Sequence, residues 1–468
     1  MGISDVLDAF VDGRVEAGEF MLALSGDKER HNEIAFSLGL AAIRSVLSTE
    51  HDEMKLYELA AGTIANLLLF DDVNDECAES LNIPDFLYEC CTKIDDPFTI
   101  SEIFRALSNL VYVKKAEYLH ASIFTLCSLI RYLAGNSLSP KLLAHVVQLV
   151  YYIQVYSPPE MLRDWEQCWD ARSFYLSIQG FSIDNSGDVS VPPNEELYST
   201  LCAMQSESIA DCSGLEWLLL SIDRLTVSSD TEMSTNSQQV CSSSHTLAFV
   251  VHLLLSSSLQ SWEATARKSA HKSQGVVLNP SASEKFLALS ILENIVCYRT
   301  ECATNGGVVT DVRALAGMYS VGCRPGFVTL LCTILEILEE ALLMKDKYGV
   351  SSALYLVVQL YNHDITQAAE PYTTADGSTA RPFLVAQMTS VFAYIQNVVE
   401  LLGIEDNMAW ILGAEAHGAD IGALKAFLNM VRDNLSATCS SATETSEVPK
   451  KSLLDLLDVI NSILPSLL

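Results

Sequence analysis

Leu59-Ala60-Ala61-Gly62-Thr63-Ile64-Ala65-Asn66-Leu67 and Glu102-Ile103-Phe104-Arg105-Ala106-Leu107-Ser108-Asn109-Leu110 decide how this chain folds. The two stretches superpose with a shift of 43 residues, from 59 to 102, inside the range expected of two- or three-helix repeats. At 100° per residue the pairs Ala60/Ile103, Thr63/Ala106, Ile64/Leu107 and Leu67/Leu110 fall on one helical stripe. The small residue at the second position lets neighbouring helices approach closely. The same frame fits Leu142, His145, Val146, Gln148 and Leu149, then Ala288, Ile291, Leu292, Asn294 and Ile295, and again Ala353, Leu356, Val357, Gln359 and Leu360. The string Val-Val-Gln-Leu occurs at Val146–Leu149 and at Val357–Leu360, each followed by Tyr within two residues.

Outward from these copies the chain carries apolar residues at spacings of three and four, and sustained strict alternation is hard to find, so the class is all-α. Of its 468 residues 49% are apolar and 19% charged, the composition of a folded chain. Ser-, Thr-, Gly-, Asn- or Pro-rich breaks fall at 184–195, 228–244, 268–283, 368–381 and 436–451. The helical spans between them are too thin to fold alone and need neighbours to cover their faces, which is the logic of a solenoid. The organisation expected is a helical cap or flexible segment over 1–28, repeats over 29–179, irregular helices with Ser/Pro-rich loops over 180–283, helical repeats over 284–435, a polar linker over 436–451 and a helix over 452–468.

Between the first two copies stand Leu81-Asn82-Ile83-Pro84-Asp85-Phe86-Leu87-Tyr88-Glu89-Cys90-Cys91 and then Asp95-Asp96-Pro97. An Ile-Pro helix start, an apolar second helix, a short polar turn and a third helix ending Ala-Leu-x-Asn-Leu resemble the armadillo repeat. Pro84 suits a helix's first turn because its missing N–H would be unpaired there, and Asp96-Pro97 or the box Thr99-x-x-Glu102 would cap the next helix. The resemblance implies an armadillo/HEAT-like right-handed α-solenoid with irregular repeats and polar loop insertions.

Leu56-x-Glu58, Gly62-x-Ile64-x-Asn66, Cys91, Asp96-Pro97 and Glu102 also resemble one family of armadillo-type proteins, the serum amyloid A-like 1 family, over residues 56–110. That resemblance implies a non-enzymatic protein, nuclear localisation and a link to cell proliferation.

Asn66 and Asn109 lie about a quarter-turn from the centre of the stripe. An amide there offers a carbonyl acceptor and an NH₂ donor, so a ladder of them would bond the backbone of an extended segment held in a concave groove; the alternative is an amide satisfied within the fold. In armadillo proteins that carry nuclear import cargo the asparagine follows a tryptophan by four residues, whereas Gly62 and Arg105 stand here. Residues 51–104 hold thirteen acidic and two basic side chains, 13 − 2 = 11 net negative. Asp71, Asp72, Asp75 and Glu76 would form an acidic rim that steers a basic partner, or a solvated face. Together with Asn66 and Asn109 they are the expected protein-binding residues.

With 59 acidic against 28 basic side chains the chain is 31 units negative, which disfavours nucleic acid, including RNA, and anionic membrane surfaces. Thr246 to Leu255 is apolar but short, and reads as a buried helix. Thirteen cysteines without a Cys-x-x-Cys pair read as reduced, packed thiols of the nucleus or cytoplasm. No His-Glu-x-x-His, Cys/His quartet, phosphate loop, Gly-x-Ser-x-Gly elbow or kinase signature is present, so no catalytic residue, metal ligand or cofactor is expected. His145 reads as a hydrogen-bonded core histidine. Trp165 and Trp169 share a face at i, i+4, as packing between repeats or as an aromatic anchor. The function expected is a non-enzymatic scaffold that captures an extended or helical partner segment; the alternative is an unrecognised enzyme or an enzyme's regulatory subunit, for example one using Glu58 and Cys91.

Overall fold

The computed structural model describes residues 2–36, 38–73, 75, 77, 83–113, 117–120, 123–134, 139–178, 195–227, 234–266, 278–302, 311–312, 314–316, 326–367, 383–412, 418–441 and 450–467. Two compact units emerge. Unit 1 holds the described residues up to Leu225 and those of 234–240; unit 2 holds Thr226, Val227 and the described residues from Cys241 on. Both are all-α and solenoidal in their layering, with helices stacked on helices in chain order.

In unit 1 the helices are α1 (Ile3–Val11), α2 (Val15–Ser25), α3 (Asn32–Ala35), α4 (Gly39–Ser48), α5 (Lys55–Leu67), α6 (Ile83–Lys93), α7 (Pro97–Tyr112), α8 (Glu117–His120), α9 (Ile123–Ala134), α10 (Pro140–Tyr156), α11 (Pro159–Cys168), α12 (Ala171–Ile178), α13 (Glu195–Ser206), α14 (Gly214–Thr226) and α15 (Thr235–Ser242), the last residues of α14 and α15 falling to unit 2. Local chemistry sets the starts. Asp96 accepts from the Thr99 N–H at 2.8 Å with Pro97 at the first helical position, so Asp96 and not the Thr99 box caps α7. Ser139 and Pro140 do the same for α10, at 3.2 Å from the Leu142 N–H.

One row of unit 1 runs α2, α5, α7, α10, α13, each packed on the one before. The repeat frame lies in its interfaces: Ile64, Leu67, Ile103, Leu107, Leu110, Val146 and Leu149 are wholly buried. Gly18 in α2 admits a close approach of α5, since a Cβ there would meet Leu59 Cδ1 and Phe10 Cε2 at 2.9 Å. Trp165 and Trp169 are both buried and stack at 4.6 Å, so they serve packing, with Trp169 just beyond the end of α11. A feature absent from the sequence reading is a two-residue antiparallel ribbon, Ser208–Ile209 with Cys212–Ser213. Its turn holds Ala210 at φ 49° and Asp211 at φ 67°, both left-handed without being glycine.

Unit 2 is built of longer helices: α16 (Ser244–Ala266), α17 (Ala282–Cys302), α18 (Gly326–Met344), α19 (Lys347–Gln367), α20 (Phe383–Leu402), α21 (Glu405–Leu412), α22 (Gly418–Ser441) and α23 (Lys450–Ile463). They form two rows. α16, α18 and α20 pack in succession, as do α17, α19 and α22, and α18 pairs with α19 as a hairpin. A full capping box starts α17: Glu284 N–H donates to Ser281 Oγ at 3.2 Å and Ser281 N–H to the Glu284 carboxylate at 2.8 Å. The fourth and fifth copies of the frame sit on α17 and α19, with Ala288, Ile291, Leu292, Ile295, Ala353, Leu356 and Leu360 wholly buried. The apolar run from Thr246 is buried within α16, and among the described residues no helix is long and apolar enough to cross a membrane. Helix α22 continues to Ser441, into the stretch expected as a polar linker from 436; the rest of that stretch to 449 lies outside the described residues, as do 184–194, 268–277 and 368–381.

Candidate functional site

The polar side chains of the α2–α5–α7–α10 row are joined into one chain of bonds. Asn66 on α5 donates back to the Leu22 carbonyl at 3.3 Å and to Ser25 Oγ at 3.1 Å. Its own carbonyl accepts from Arg105 Nη1 on α7 at 2.9 Å. Arg105 also donates from Nη2 to the Gly62 carbonyl at 3.2 Å and from Nε to Glu102 at 2.6 Å. Glu102 then accepts from Lys141, on α10, at 3.2 Å. Burial opposes ionisation of Glu102, yet Arg105 and Lys141 outweigh it and hold the carboxyl below its ordinary range.

Gly62 lies beneath the Arg105 guanidinium, and its tightest neighbour is Leu22. A Cβ at 62 would come to 3.1 Å of Leu22 Cδ1, 3.5 Å of the Glu102 carboxylate and 3.6 Å of Arg105 Nη2. A guanidinium therefore rests on bare backbone where an import-type repeat has its tryptophan. Arg105 was met in the sequence only as a departure from that pattern; its spacing of three from Glu102 was the available sign of its role.

Asn109 repeats the gesture one layer on, donating to the Ala65 carbonyl at 2.7 Å. The Asn294 amide, at the matching place in unit 2, donates to Thr226 Oγ1 at 3.1 Å. All three asparagines thus reach back to the preceding layer, the internally satisfied alternative; Asn66 has both N–H donors occupied, while the side-chain carbonyl of the half-buried Asn109 has no hydrogen-bond partner among the described residues.

Of the acidic residues, Asp72 is exposed but bonded within the fold. It accepts from the buried His31 ring at 3.0 Å and from Asn32 at 3.2 Å, and His31 stacks on Phe70 at 4.0 Å. Partial desolvation raises the Asp72 carboxyl and the bonds from His31 and Asn32 more than reverse it, leaving it below its ordinary range. Asp71 and Asp75 are exposed, and Glu76 lies outside the described residues. Glu58 is paired with Lys55 at 2.8 Å. Burial drives the Cys91 thiol upward, away from the thiolate that a nucleophile needs. His145 is in the core as expected; its Nδ1 has no hydrogen-bond partner among the described residues, and burial, against the opposing pull of Glu102 and Gln148, pushes its pKa down to about 4.

Sequence reasoning missed an aromatic patch at the C-terminal ends of α7 and α10. Tyr112 is half-exposed and meets Tyr152 at 5.4 Å with the rings tilted, and Tyr156 at 5.8 Å edge to face. Tyr151 and Tyr152 in turn meet Trp217 of α14 at 5.6 and 5.3 Å. Trp217 is fixed from below by its Nε1–H bond to the Ile209 carbonyl at 3.0 Å, in the strained ribbon. The rings of Tyr112, Tyr151 and Tyr156 therefore stand on a rigid base of Tyr152 and Trp217. The only sequence sign was the tyrosine after Val-Val-Gln-Leu. Tyr112 follows Asn109 by three residues, so the open amide carbonyl and the patch share one face of α7. A separate cavity of about 420 Å³ lies between α1 and α2, lined by Val6, Ala9, Arg14, Glu16, Ala17 and Phe20.

No family model matches the chain, and no curated protein matches it, so the resemblance to the serum amyloid A-like 1 family gains no support. Among solved structures the chain is similar to a designed armadillo repeat protein, at 10% identity and a TM-score of 0.38 over 63% of this chain and 100% of that one. An engineered protein matches at 12% identity and 0.42 over 100% and 99%. A chain from a study of the interaction between cadherin and beta-catenin matches at 15% and 0.35 over 99% and 94%. Likeness at these scores carries no weight here. The fold assignment rests on the packing and register above.

Proposed function

We propose that this chain is a non-enzymatic protein-binding scaffold that takes an extended, basic segment of a partner protein across the ends of α7 and α10. The observation that carries the proposal is the tyrosine patch: half-exposed rings on a buried aromatic base, beside the open carbonyl of Asn109. Rigid aromatic anchors of this kind dominate protein interfaces because they bring large contact area at small entropy cost. The Asn109 carbonyl would accept one backbone N–H of the segment, and the tyrosine faces would receive lysine or arginine stems. Asp71 and Asp75, with Glu76, would raise the encounter rate with a basic partner. Asn66 enters this reading as a support, since its donors are spent inside the fold. Residence in the nucleus or cytoplasm is part of the proposal and rests on cysteine usage; the link to cell proliferation rests on the family resemblance alone.

Short peptides graded in charge and arrayed against the whole chain test it. Binding should rise with Lys and Arg content and weaken as salt is added. It should fall about tenfold or more in a Tyr112→Ala, Tyr156→Ala variant that keeps its helical circular dichroism. Binding indifferent to peptide charge, or intact in that variant, overturns the reading.

A further inference from the structure

We propose that Cys127 and Cys168 form a redox modification site, closing to an intramolecular disulfide under hydroperoxides and reopening with thiol reductants. Cys127 sits on α9 and is 1% exposed, whereas Cys168 ends α11 and is half-buried. Their sulfurs are 2.8 Å apart, 41 residues apart in sequence. A bond of about 2.05 Å needs only a small further approach.

The pair is held in place by its surroundings. One turn before Cys168, Asp164 accepts from His120 at 2.8 Å. One turn after Cys127, Arg131 donates to the Cys168 carbonyl at 2.9 Å. The Cys168 thiol also contacts the Trp165 carbonyl at 3.4 Å, and Trp165 stacks on Trp169. Two successive layers are thus fixed against each other on both sides of the sulfurs, so closure asks for little backbone movement.

Exposure sets the order of events. The Cys168 thiolate attacks the distal oxygen of the hydroperoxide, the O–O bond breaks, and the alkoxide or hydroxide leaves as alcohol or water once protonated, giving Cys168 sulfenic acid. Cys127 then gives up its proton and attacks the Cys168 sulfur; the S–O bond breaks and the departing hydroxide takes that proton as water. Two thiols lose two electrons, and the hydroperoxide gains them. Burial drives the Cys127 thiol upward, which disfavours it as the thiolate that meets the hydroperoxide first. The product closes a loop of about 40 residues and ties α9 to α11, removing freedom from the unfolded chain.

The whole chain treated with hydrogen peroxide should yield, after digestion without reductant, a Cys127–Cys168 cross-linked peptide two hydrogens lighter than the free pair. Unit 1, followed by Trp165 and Trp169 fluorescence, should melt about 5 °C or more higher, and dithiothreitol should reverse both changes. In Cys127→Ser the Cys168 sulfenic acid should persist and be trapped by dimedone; in Cys168→Ser, Cys127 should stay reduced. Peptide mapping of the unmodified chain needs neither variant to fold. Conversion of Cys168 to sulfinic acid without cross-linking, or its pairing with any cysteine other than Cys127, overturns the proposal.

Discussion

Unit 1 and unit 2 are both stacks of helices, but they are tied at different intervals. In unit 1 the bonds Asn66 to Leu22, Arg105 to Gly62 and Asn66, Lys141 to Glu102, His31 to Asp72, His120 to Asp164, Arg131 to Cys168 and Tyr175 to Ser221 span 37 to 46 residues, with Ala171 to Asn236 at 65 the exception. In unit 2 they span 58 to 68: Arg299 to the Cys241 carbonyl, Ser352 to Glu293, Asn397 to Glu339, Asn294 to Thr226. Longer helices and the added length between them stretch the repeat while the manner of stacking is kept. The chemistry shifts as well. Unit 1 threads a half-buried Glu102–Arg105–Lys141 group through its row, whereas in unit 2 Arg299, Ser352, Asn397 and Asn294 are each tied to a different helix partner. A solenoid therefore tolerates drift in repeat length while its layers stay bonded to their predecessors.

Acid should strike both units alike, because each buries a histidine that burial drives to about 4, His145 in unit 1 and His252 in unit 2. The unfolded chain binds the proton near 6.5 and the folded one only near 4, so the unfolded state holds more protons between those values. This stability is whole above pH 6.5 and is lost as pH falls toward 4, on the order of 3 kcal/mol for each histidine at 1.4 kcal/mol per unit. Urea titrations from pH 7 to pH 4 should show that slope, and His145→Leu should flatten it for unit 1 only; an unchanged slope in that variant would mean that His145 is not the group responsible.

Arg105→Ala should separate the units. It strands Glu102 against Lys141 alone and removes a donor from Asn66, at a cost of about 2 kcal/mol or more. Hydrogen exchange should quicken across α5 and α7 and leave α19 unmoved; equal quickening in α19 would show that the two units open together. The smallest effects are gains. Lys345, between α18 and α19, is held at φ 55°, and Asp211 in the ribbon of unit 1 is held at φ 67°. Lys345→Gly and Asp211→Gly should each add about 0.5–1 kcal/mol in thermal or urea melts. A loss at Asp211 would show that its side chain holds the ribbon under Trp217.

The stacking of unit 1 was readable because its two best copies differ by one constant shift and every stripe residue of those two copies is either apolar or small; Ile64 and Leu107 are buried as that stripe requires. The capping of α7 was narrowed to two choices, since both Asp96 and Thr99 are competent caps and only packing of Glu102 toward α10 decides between them. Unit 2 was harder: Ala288 and Ala353 fit the frame, but the intervals between copies are masked by inserted length. The binding residues were least legible. Whether an asparagine faces a groove or the previous layer depends on what stands opposite it, and the carbonyls of Leu22 and Ala65 leave no trace in side-chain sequence. The tyrosine patch joins three helices, and no local periodicity predicts which rings from different helices will meet.

Residue 62 ties the history of three positions together. If the layers arose by copying, each copy could diverge freely only where its neighbours did not lean on it, and at Gly62 the Leu22 side chain would be met at 3.1 Å and the Arg105 guanidinium at 3.6 Å by a single added carbon. Residues 22 and 62 should then change together among relatives: where 62 gains a side chain, 22 shrinks, while Arg105 is displaced only by a side chain at 62 longer than alanine's.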